Sequence, residues 1–158
     1  AELYLPTLKN RLKFFPGVID FIRLVKDRHT LAVVSGALRP EIEFVLNEGK
    51  IADAFSLIVG AEETKHGKPD PEGYLVALAK LKQKNPDIRA DNCLALEDSM
   101  AGIEAAHKAR MKCAALTHSY PRDKLKEADW VVERFEELMQ ILTNPPTPPF
   151  DKGGQGGF

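Results

Sequence analysis

Runs of apolar residues separated by polar segments divide the sequence into alternating helix-like and strand-like stretches. Apolar positions at helical spacing predict five helices, at residues 16–28, 39–49, 70–81, 99–109 and 134–142. Short and almost wholly apolar runs, typical of strands that are buried on both faces, predict strands at 31–35, 55–62, 93–98, 113–117 and 130–133. This alternation predicts βαβ crossovers, and therefore an α/β fold with a mostly parallel sheet.

The two ends of the sequence depart from this pattern. Residues 144–158 read NPPTPPFDKGGQGGF, a run of proline and glycine that suits neither a helix interior nor the centre of a sheet. Because this segment has little apolar surface to bury, we predict a disordered tail. The first residue is alanine rather than methionine, which favours a chain that has been processed or that begins within a longer coding sequence.

Composition narrows the classes of function. Of the 158 residues, 44% are hydrophobic and 28% are charged, which is typical of a globular domain. The net charge of −1 provides no basic surface for nucleic acid or for an anionic membrane. No apolar run approaches the roughly 20 residues that span a bilayer, and the start does not resemble a signal peptide. Cys93 and Cys113 lie in apolar runs, which favours buried thiols in a reducing, cytoplasmic compartment.

Candidate phosphate-binding residues follow the first two predicted strands. Ser35, Gly36 and Ala37 place a hydroxyl and backbone amides close to a helix start, where anions such as phosphate bind. The same serine could simply cap the next helix. Lys68 follows the second strand in a segment stiffened by two prolines, so it could offset phosphate charge from a fixed position. It could equally be an ordinary surface lysine in a turn.

Two adjacent carboxylates, Glu97 and Asp98, lie at the end of the third predicted strand. Neighbouring carboxylates repel each other unless a positive charge compensates, and Mg²⁺ is a cation that prefers oxygen ligands. Alternatively, Asp98 or Ser99 caps the helix that begins at Met100. Because the carboxyl ends of parallel strands share one edge of a sheet, all three groups of residues should point toward one crevice.

Three segments in this order and spacing resemble the haloacid dehalogenase-like (HAD) superfamily. VVSGA (33–37) resembles its second motif, GKPDP (67–71) its third, and LEDSMAGIEAA (96–106) its fourth. The resemblance extends from about Phe15 to Leu142 and is greatest to the branch that contains β-phosphoglucomutase and phosphoglycolate phosphatase. It implies a three-layer, Rossmann-like core.

The resemblance also implies roles for these residues. Ser35 would hydrogen-bond the transferring phosphoryl group with help from the N–H of Gly36, and Lys68 would offset negative charge there. Glu97 and Asp98 would hold Mg²⁺. The implied chemistry is attack by an aspartate on the phosphorus of a small phosphorylated metabolite, which forms an aspartyl-phosphate that water then hydrolyses.

One family motif has no match in this sequence. The family's nucleophile and general acid/base lie in a strand ending in Asp-x-Asp-Gly, and the 158 residues contain no Asp-x-Asp. Residues 1–14 resemble the last helix of the family's cap domain. We therefore expect the C-terminal portion of a larger protein, without turnover of its own. The strands at 31–35 and 93–98, which flank the missing central strand in the family, should then face a gap or pair directly.

Other functions remain to be weighed against a phosphatase or phosphomutase. A non-catalytic remnant, or a complementing half, would bind phosphate, Mg²⁺ or a partner chain without turnover. A phosphoacceptor receiver domain needs acidic residues that LAVVSGA does not supply, and a dinucleotide-binding domain needs a Gly-x-Gly-x-x-Gly after a strand. The family commonly has glycine at the position of Arg110, which implies a left-handed backbone there.

Overall fold

A computed structural model describes residues 12–143, and this range folds into five helices and five strands. The helices are α1 (Val18–Val25), α2 (Arg39–Glu48), α3 (Glu72–Lys84), α4 (Met100–Lys108) and α5 (Phe135–Thr143). The strands are β1 (Leu31–Val34), β2 (Phe55–Val59), β3 (Leu94–Glu97), β4 (Lys112–Leu116) and β5 (Trp130–Val132). The predicted order of elements is confirmed, with boundaries that differ by one to a few residues.

Two boundary differences have local causes. The strand predicted at 55–62 ends at Val59, because Ala61–Glu63 form a turn of 3-10 helix. The helix predicted from Asp70 begins at Glu72 instead. Its first N–H donates to Asp70 Oδ1 at 2.9 Å, so Asp70 supports the helix start from two residues before it.

The predictions for the two ends lie largely outside the described residues. Of the segment at 1–14, only residues 12–14 are described, and they form no regular secondary structure. The tail at 144–158 lies wholly outside the described range. Both assignments therefore stay predictions.

All strand pairs in the described range are parallel, but they form two separate sheets. β1 pairs with β2 in one sheet, and the other has the order β3-β4-β5. Between β1 and β3 lies a groove of about 520 Å³, lined by both strands together with α1 and α3. We call it the central groove. Of the two expected arrangements, a gap or direct pairing, residues 12–143 show the gap.

Helix α3 bridges the two sheets. It packs against β1 so closely that a Cβ at Gly73 would lie 2.9 Å from Val34 Cγ1, which explains the glycine at this position. On its other side, Tyr74 and Leu78 belong to the same buried cluster as Ile103 of α4 and Cys113 of β4. Helices α1 and α5 pack together beneath β4 and β5 in a second buried cluster.

The turn between α4 and β4 confirms the expectation for Arg110. Its φ angle of 63° lies in the left-handed region, which residues other than glycine adopt at a cost of about 1 kcal/mol. The N–H of Arg110 donates to the carbonyl of His107 and closes the turn.

Both cysteines are free thiols, and Cys113 is fully buried while Cys93 is half-buried. Burial raises the pKa of the Cys113 thiol to about 12 and also raises the pKa of Cys93, so both stay protonated at neutral pH. Within residues 12–143, none of the helices combines the length and apolar character needed to cross a membrane.

Candidate active site

Ser35 directly follows β1, and its hydroxyl does not cap the next helix. The N–H of Ser35 donates to the carbonyl of Val59, which extends the pairing of β1 with β2 by one residue. Its Oγ accepts the N–H of Ala37 at 3.1 Å. Helix α2 is instead capped by Glu41, whose carboxylate accepts the N–H of Leu38 at 3.0 Å. The O–H of Ser35 can therefore donate to a ligand such as a phosphate oxygen.

A small cavity of about 130 Å³ lies at the carboxyl end of β1. Ser35, Gly36 and Lys68 line it, together with His66 and Tyr74. Gly36 is exposed, and open space surrounds the position that a Cβ would occupy there, so a ligand could approach its backbone. The structure thus brings together the serine, glycine and lysine singled out in the sequence. Ala37 and the Glu97–Asp98 pair do not line this cavity.

Lys68 connects the carboxyl ends of the two sheets. Its Nζ donates to Glu97 Oε1 at 2.6 Å and lies 3.5 Å from the carbonyl oxygen of Val34, the last residue of β1. The same Nζ is 5.3 Å from the centroid of the Tyr74 ring, a cation–π distance. Lys68 is therefore held by three partners, which an ordinary surface lysine would lack.

Glu97 is the one buried charged residue in the described range, with 6% of its surface exposed. Lys68 and the Tyr74 hydroxyl both donate to its Oε1. Burial, and then the Glu97 carboxylate, raise the pKa of Tyr74, which keeps the phenol protonated as a donor. A Cβ at Gly102 would overlap the Glu97 carboxylate, so the glycine leaves room for it.

Asp98 is not needed as a helix cap. The Oγ of Ser99 caps α4 by accepting the N–H of Gly102 at 3.1 Å. Asp98 is half-buried, and its carboxylate accepts a hydrogen bond from the Ser119 hydroxyl. Glu97 and Asp98 are therefore consecutive carboxylates at the end of β3, and carboxylate oxygen is the ligand type that suits a hard divalent cation.

A second group of possible ligand atoms comes from the loop before α3. His66, Asp70 and Glu72 have ligand atoms within 4.8 Å of one another. The Glu72 carboxylate already accepts the N–H groups of Lys65 and His66, and these hydrogen bonds lower its pKa. These contacts explain the cluster as part of the loop's own structure.

Sequence reasoning missed two residues of this site. Tyr74 occupies an apolar position of the helix predicted at 70–81, which gives no sign of a role in a site, yet its hydroxyl contacts the buried Glu97 carboxylate. A tyrosine at a buried position usually needs a hydrogen-bond partner, which is the signal that could have identified it. Ser119 lies 21 residues after its partner Asp98, and only the fold brings the two together.

The fold is that of an α/β domain with polar residues gathered at its strand ends, and comparisons with known proteins identify its family. The family model described as haloacid dehalogenase-like hydrolase matches residues 3–116. The chain therefore belongs to the haloacid dehalogenase-like hydrolases, as the sequence motifs indicated.

Curated relatives and solved structures agree with this assignment. The chain is 36% identical over 126 residues to a chloroplastic 5-amino-6-(5-phospho-D-ribitylamino)uracil phosphatase of Arabidopsis thaliana, covering 79% of this chain and 32% of that protein. It is 29% identical over 107 residues to phosphoglycolate phosphatase 1 of Pseudomonas aeruginosa, covering 67% of this chain and 38% of that protein. The crystal structure of β-phosphoglucomutase from Clostridium difficile superposes with a TM-score of 0.70 at 27% identity, covering 87% of this chain and 60% of that one.

The matched region covers most of this chain but a smaller share of each relative. Most of this chain is covered in each comparison, but the chain spans only 32% to 60% of the length of these three proteins. Each relative therefore contains a large portion that has no counterpart in the 158 residues.

Proposed function

We propose that this chain provides the phosphate-binding and Mg²⁺-binding half of a phosphoryl-transfer site for a small phosphorylated metabolite. The observation that carries this proposal is the convergence of Ser35, Gly36 and Lys68 on one cavity, with Lys68 bonded at 2.6 Å to the buried Glu97. A hydroxyl, an exposed amide and an ammonium group are the donors that phosphate oxygens require. A cytoplasmic location, consistent with free thiols, forms part of the proposal.

In this proposal the phosphate is held between the ends of β1 and β3. The Ser35 hydroxyl and the Gly36 N–H donate to phosphate oxygens, while Lys68 supplies positive charge. Because Glu97 and the Tyr74 ring both contact the Lys68 ammonium, its position is fixed before the ligand arrives. Such preorganisation strengthens electrostatic stabilisation, because little rearrangement is needed on binding.

The carboxylates at the end of β3 fit a Mg²⁺ ion. Glu97 is buried and anchored, Asp98 is half-buried, and both present oxygen atoms. Mg²⁺ typically binds one or two carboxylates together with substrate phosphate and water. When bound, the ion would offset the negative charge of the phosphate oxygens.

We also propose that these residues alone do not complete a turnover. Attack on phosphorus requires a nucleophile beside the phosphate, and the 158 residues contain no Asp-x-Asp. Among residues 12–143, the carboxylate that lines the cavity belongs to Asp70, whose Oδ1 accepts the N–H of Glu72. In this respect the chain would act as a complementing half whose nucleophile comes from elsewhere.

Titration of the full chain with inorganic phosphate and with Mg²⁺, followed by NMR chemical shifts, tests the binding proposal. Phosphate should shift the amide signals of Ser35 and Gly36, and the Lys68→Ala variant should weaken phosphate binding by about tenfold or more. Lys65→Ala removes an exposed lysine of the same loop and serves as the matched control, with unchanged affinity expected. Absence of any shift at Ser35 and Gly36 would overturn the proposed phosphate site.

An assay with p-nitrophenyl phosphate and Mg²⁺ tests the second proposal separately. We expect no release of phosphate above the buffer rate, whatever the outcome of the binding titration. Turnover that disappears in Lys68→Ala but persists in Lys65→Ala would show that the chain contains its own nucleophile. A chain that binds phosphate without turnover corresponds to the complementing half described above.

A further inference from the structure

The turn that follows β2 connects the two segments that supply the proposed phosphate donors. It is the turn of 3-10 helix at Ala61–Glu63, and it continues directly into the loop that carries Lys68. On its other side, the N–H of Ala61 donates to the carbonyl of Ala37 at 2.9 Å. The turn therefore lies between the segment 35–37 and the Lys68 loop.

Glu63, the last residue of this turn, pairs with one cation from each side. Its side chain is only 18% exposed. The Nη2 of Arg39 donates to its Oε1 at 2.6 Å, and the Nζ of Lys80 donates to its Oε2. Arg39 is the first residue of α2, the helix that follows the segment 35–37. Lys80 lies in α3, the helix that follows the Lys68 loop, so one carboxylate joins the two helices behind the phosphate donors.

The Gly36 amide lies between two points at which its segment is tied to β2. Before it, the N–H of Ser35 donates to the carbonyl of Val59, the last residue of β2. After it, Nη2 of Arg39 donates to the carbonyl of Ile58 at 2.8 Å as well as to Glu63. The position of the Gly36 amide therefore depends on where the Arg39 side chain is held.

Both pairs of Glu63 join opposite charges at neutral pH. The hydrogen bond from Lys80 lowers the pKa of the Glu63 carboxyl more than burial raises it, and hydrogen bonds from the Gly60 N–H and from Arg39 lower this pKa further. Charge-assisted hydrogen bonds are shorter than neutral ones and roughly twice as strong. These contacts therefore resist displacement of α2 and α3 relative to the turn.

We propose that Glu63 is a positioning residue for phosphate binding. Through Arg39 and Lys80 it holds the Gly36 amide and the Lys68 ammonium at the separation that one phosphate group bridges. Glu63 is not among the residues that line the small cavity, so its effect on the ligand is indirect. Hydrogen bonds from N–H groups to oxygen span only about 2.7–3.2 Å, so a small displacement of either donor weakens binding. This inference rests on the proposed phosphate site.

Titration of the full chain with inorganic phosphate, followed by the NMR amide signals of Ser35 and Gly36, tests this role. Glu63→Gln keeps the size of the side chain but removes its charge. Loss of a negative charge near an anion site by itself favours anion binding, because it removes a repulsion. The positioning role predicts the opposite sign, with a rise in the Kd for phosphate of about threefold or more.

Two control variants separate positioning from charge and from stability. Glu43→Gln removes an exposed carboxylate that lies 3.8 Å from Nη1 of the same Arg39, so the Kd should change by less than about twofold. Asp129 accepts three hydrogen bonds around the amino end of β4, away from the cavity. Asp129→Asn should therefore lower the urea midpoint without changing the affinity for phosphate.

Lys80→Gln tests the same contact from its other side. The Lys80 side chain is 41% exposed, so we expect this variant to fold even if Glu63→Gln does not. The Kd for phosphate should rise by about threefold or more in the unmodified background and by less than about twofold in the Glu63→Gln background, because the two residues act as a pair.

The outcomes distinguish this role from the phosphate site on which it rests. Unchanged or tighter phosphate binding by Glu63→Gln, or by Lys80→Gln if only that variant folds, would overturn the positioning role and leave the phosphate site standing. Equal weakening by Asp129→Asn would overturn it as well, since loss of stability would then explain both. Failure of the unmodified chain to bind phosphate would overturn the proposed function, and the positioning role with it.

Discussion

At the residue scale, the site depends on one buried carboxylate. Glu97 is 6% exposed, and its Oε1 accepts hydrogen bonds from both Lys68 and Tyr74. A buried polar group is costly unless it is paired and hydrogen-bonded, and these two donors provide the hydrogen bonds that Glu97 Oε1 accepts. Lys68 is part of the proposed phosphate site, and Tyr74 contacts both Lys68 and Glu97.

Removal of the Tyr74 hydroxyl should therefore lower stability. Tyr74→Phe keeps the ring that packs in the core but deletes one donor to a buried carboxylate, for a loss of about 1–3 kcal/mol in the free energy of unfolding. Urea denaturation followed by circular dichroism measures this loss. The exposed Tyr120 provides the matched control, since Tyr120→Phe should change stability by no more than about 0.5 kcal/mol.

A double-mutant cycle tests whether Glu97 is the partner through which the Tyr74 hydroxyl stabilises the fold. If the hydroxyl acts through the carboxylate, Tyr74→Phe should cost less in the Glu97→Gln background than in the unmodified chain. Equal losses in both backgrounds would mean that Tyr74 stabilises the fold independently of Glu97.

At the element scale, Asp129 fastens the end of α4 and the start of β4 to the segment before β5. Its carboxylate accepts hydrogen bonds from His107 at 3.0 Å, from Lys112 at 3.0 Å and from the N–H of Cys113 at 2.9 Å. Burial acts to raise the pKa of Asp129, but these three hydrogen bonds outweigh it and lower the pKa below its usual value. The ionised form is therefore bound more tightly in the folded state than in the unfolded state.

This difference predicts a pH dependence of stability. A carboxylate whose folded pKa lies below its unfolded value of about 3.9 stabilises the fold above that pH, and the stabilisation is lost as the pH falls through the folded pKa. Asp129→Asn should be less stable than the unmodified chain by about 1–3 kcal/mol at pH 7, and the difference should shrink below about pH 4. Urea denaturation at a series of pH values measures the stability difference at pH 7 and its decrease at lower pH.

The exposed Asp53 is the matched control for this experiment. It also forms an ion pair, with Lys26 at 2.8 Å, but its side chain is 71% exposed. Asp53→Asn should change stability much less at pH 7 than Asp129→Asn does. A difference between Asp129→Asn and the unmodified chain that stays constant from pH 7 to pH 3 would contradict the assigned role.

Sequence patterns predicted the elements well because the strands of this fold are apolar runs and the helices have apolar positions at helical spacing. The predicted strand at 55–62 was too long because Ala61–Glu63 form a turn of 3-10 helix, and the run of residues up to Ala61 gives no sign of that turn. The site residues were recognisable because they lie at strand ends or, for Lys68, in the loop that follows a strand. The contacts of Glu97 with Tyr74 and of Asp98 with Ser119 were not, because they join elements that are distant in the sequence.

At the scale of the whole molecule, two small sheets rely on helices for their connection. No strand within residues 12–143 pairs β1 with β3, so the sheets share no backbone hydrogen bonds across the central groove. Helix α3 packs against β1 and β2 and also contacts α4. Tyr74 and Leu78 of α3 therefore contribute to the contact between the halves, because both lie in the cluster around β3 and β4. Lys68 also joins the halves through its contacts with Val34 and Glu97.

Leu78→Ala should weaken the connection between the two sheets. Truncation of a buried leucine typically costs about 2–5 kcal/mol, and here the deleted atoms lie between the halves rather than within one of them. The unmodified chain should unfold in urea with the same midpoint by circular dichroism and by fluorescence of Trp130, which lies in β5. In the variant, the two midpoints should separate, because the half containing β5 keeps its own buried cluster with α1 and α5.

Leu75→Ala is the control for the Leu78 experiment, because it truncates a leucine on the same helix that is 46% exposed. The free energy of unfolding of Leu75→Ala should match that of the unmodified chain within about 0.5 kcal/mol. If Leu78→Ala instead lowers both midpoints equally, the two sheets unfold as one unit despite the groove between them. In that case, packing through α1 and α5 couples the halves as strongly as α3 does, and α3 does not control their connection.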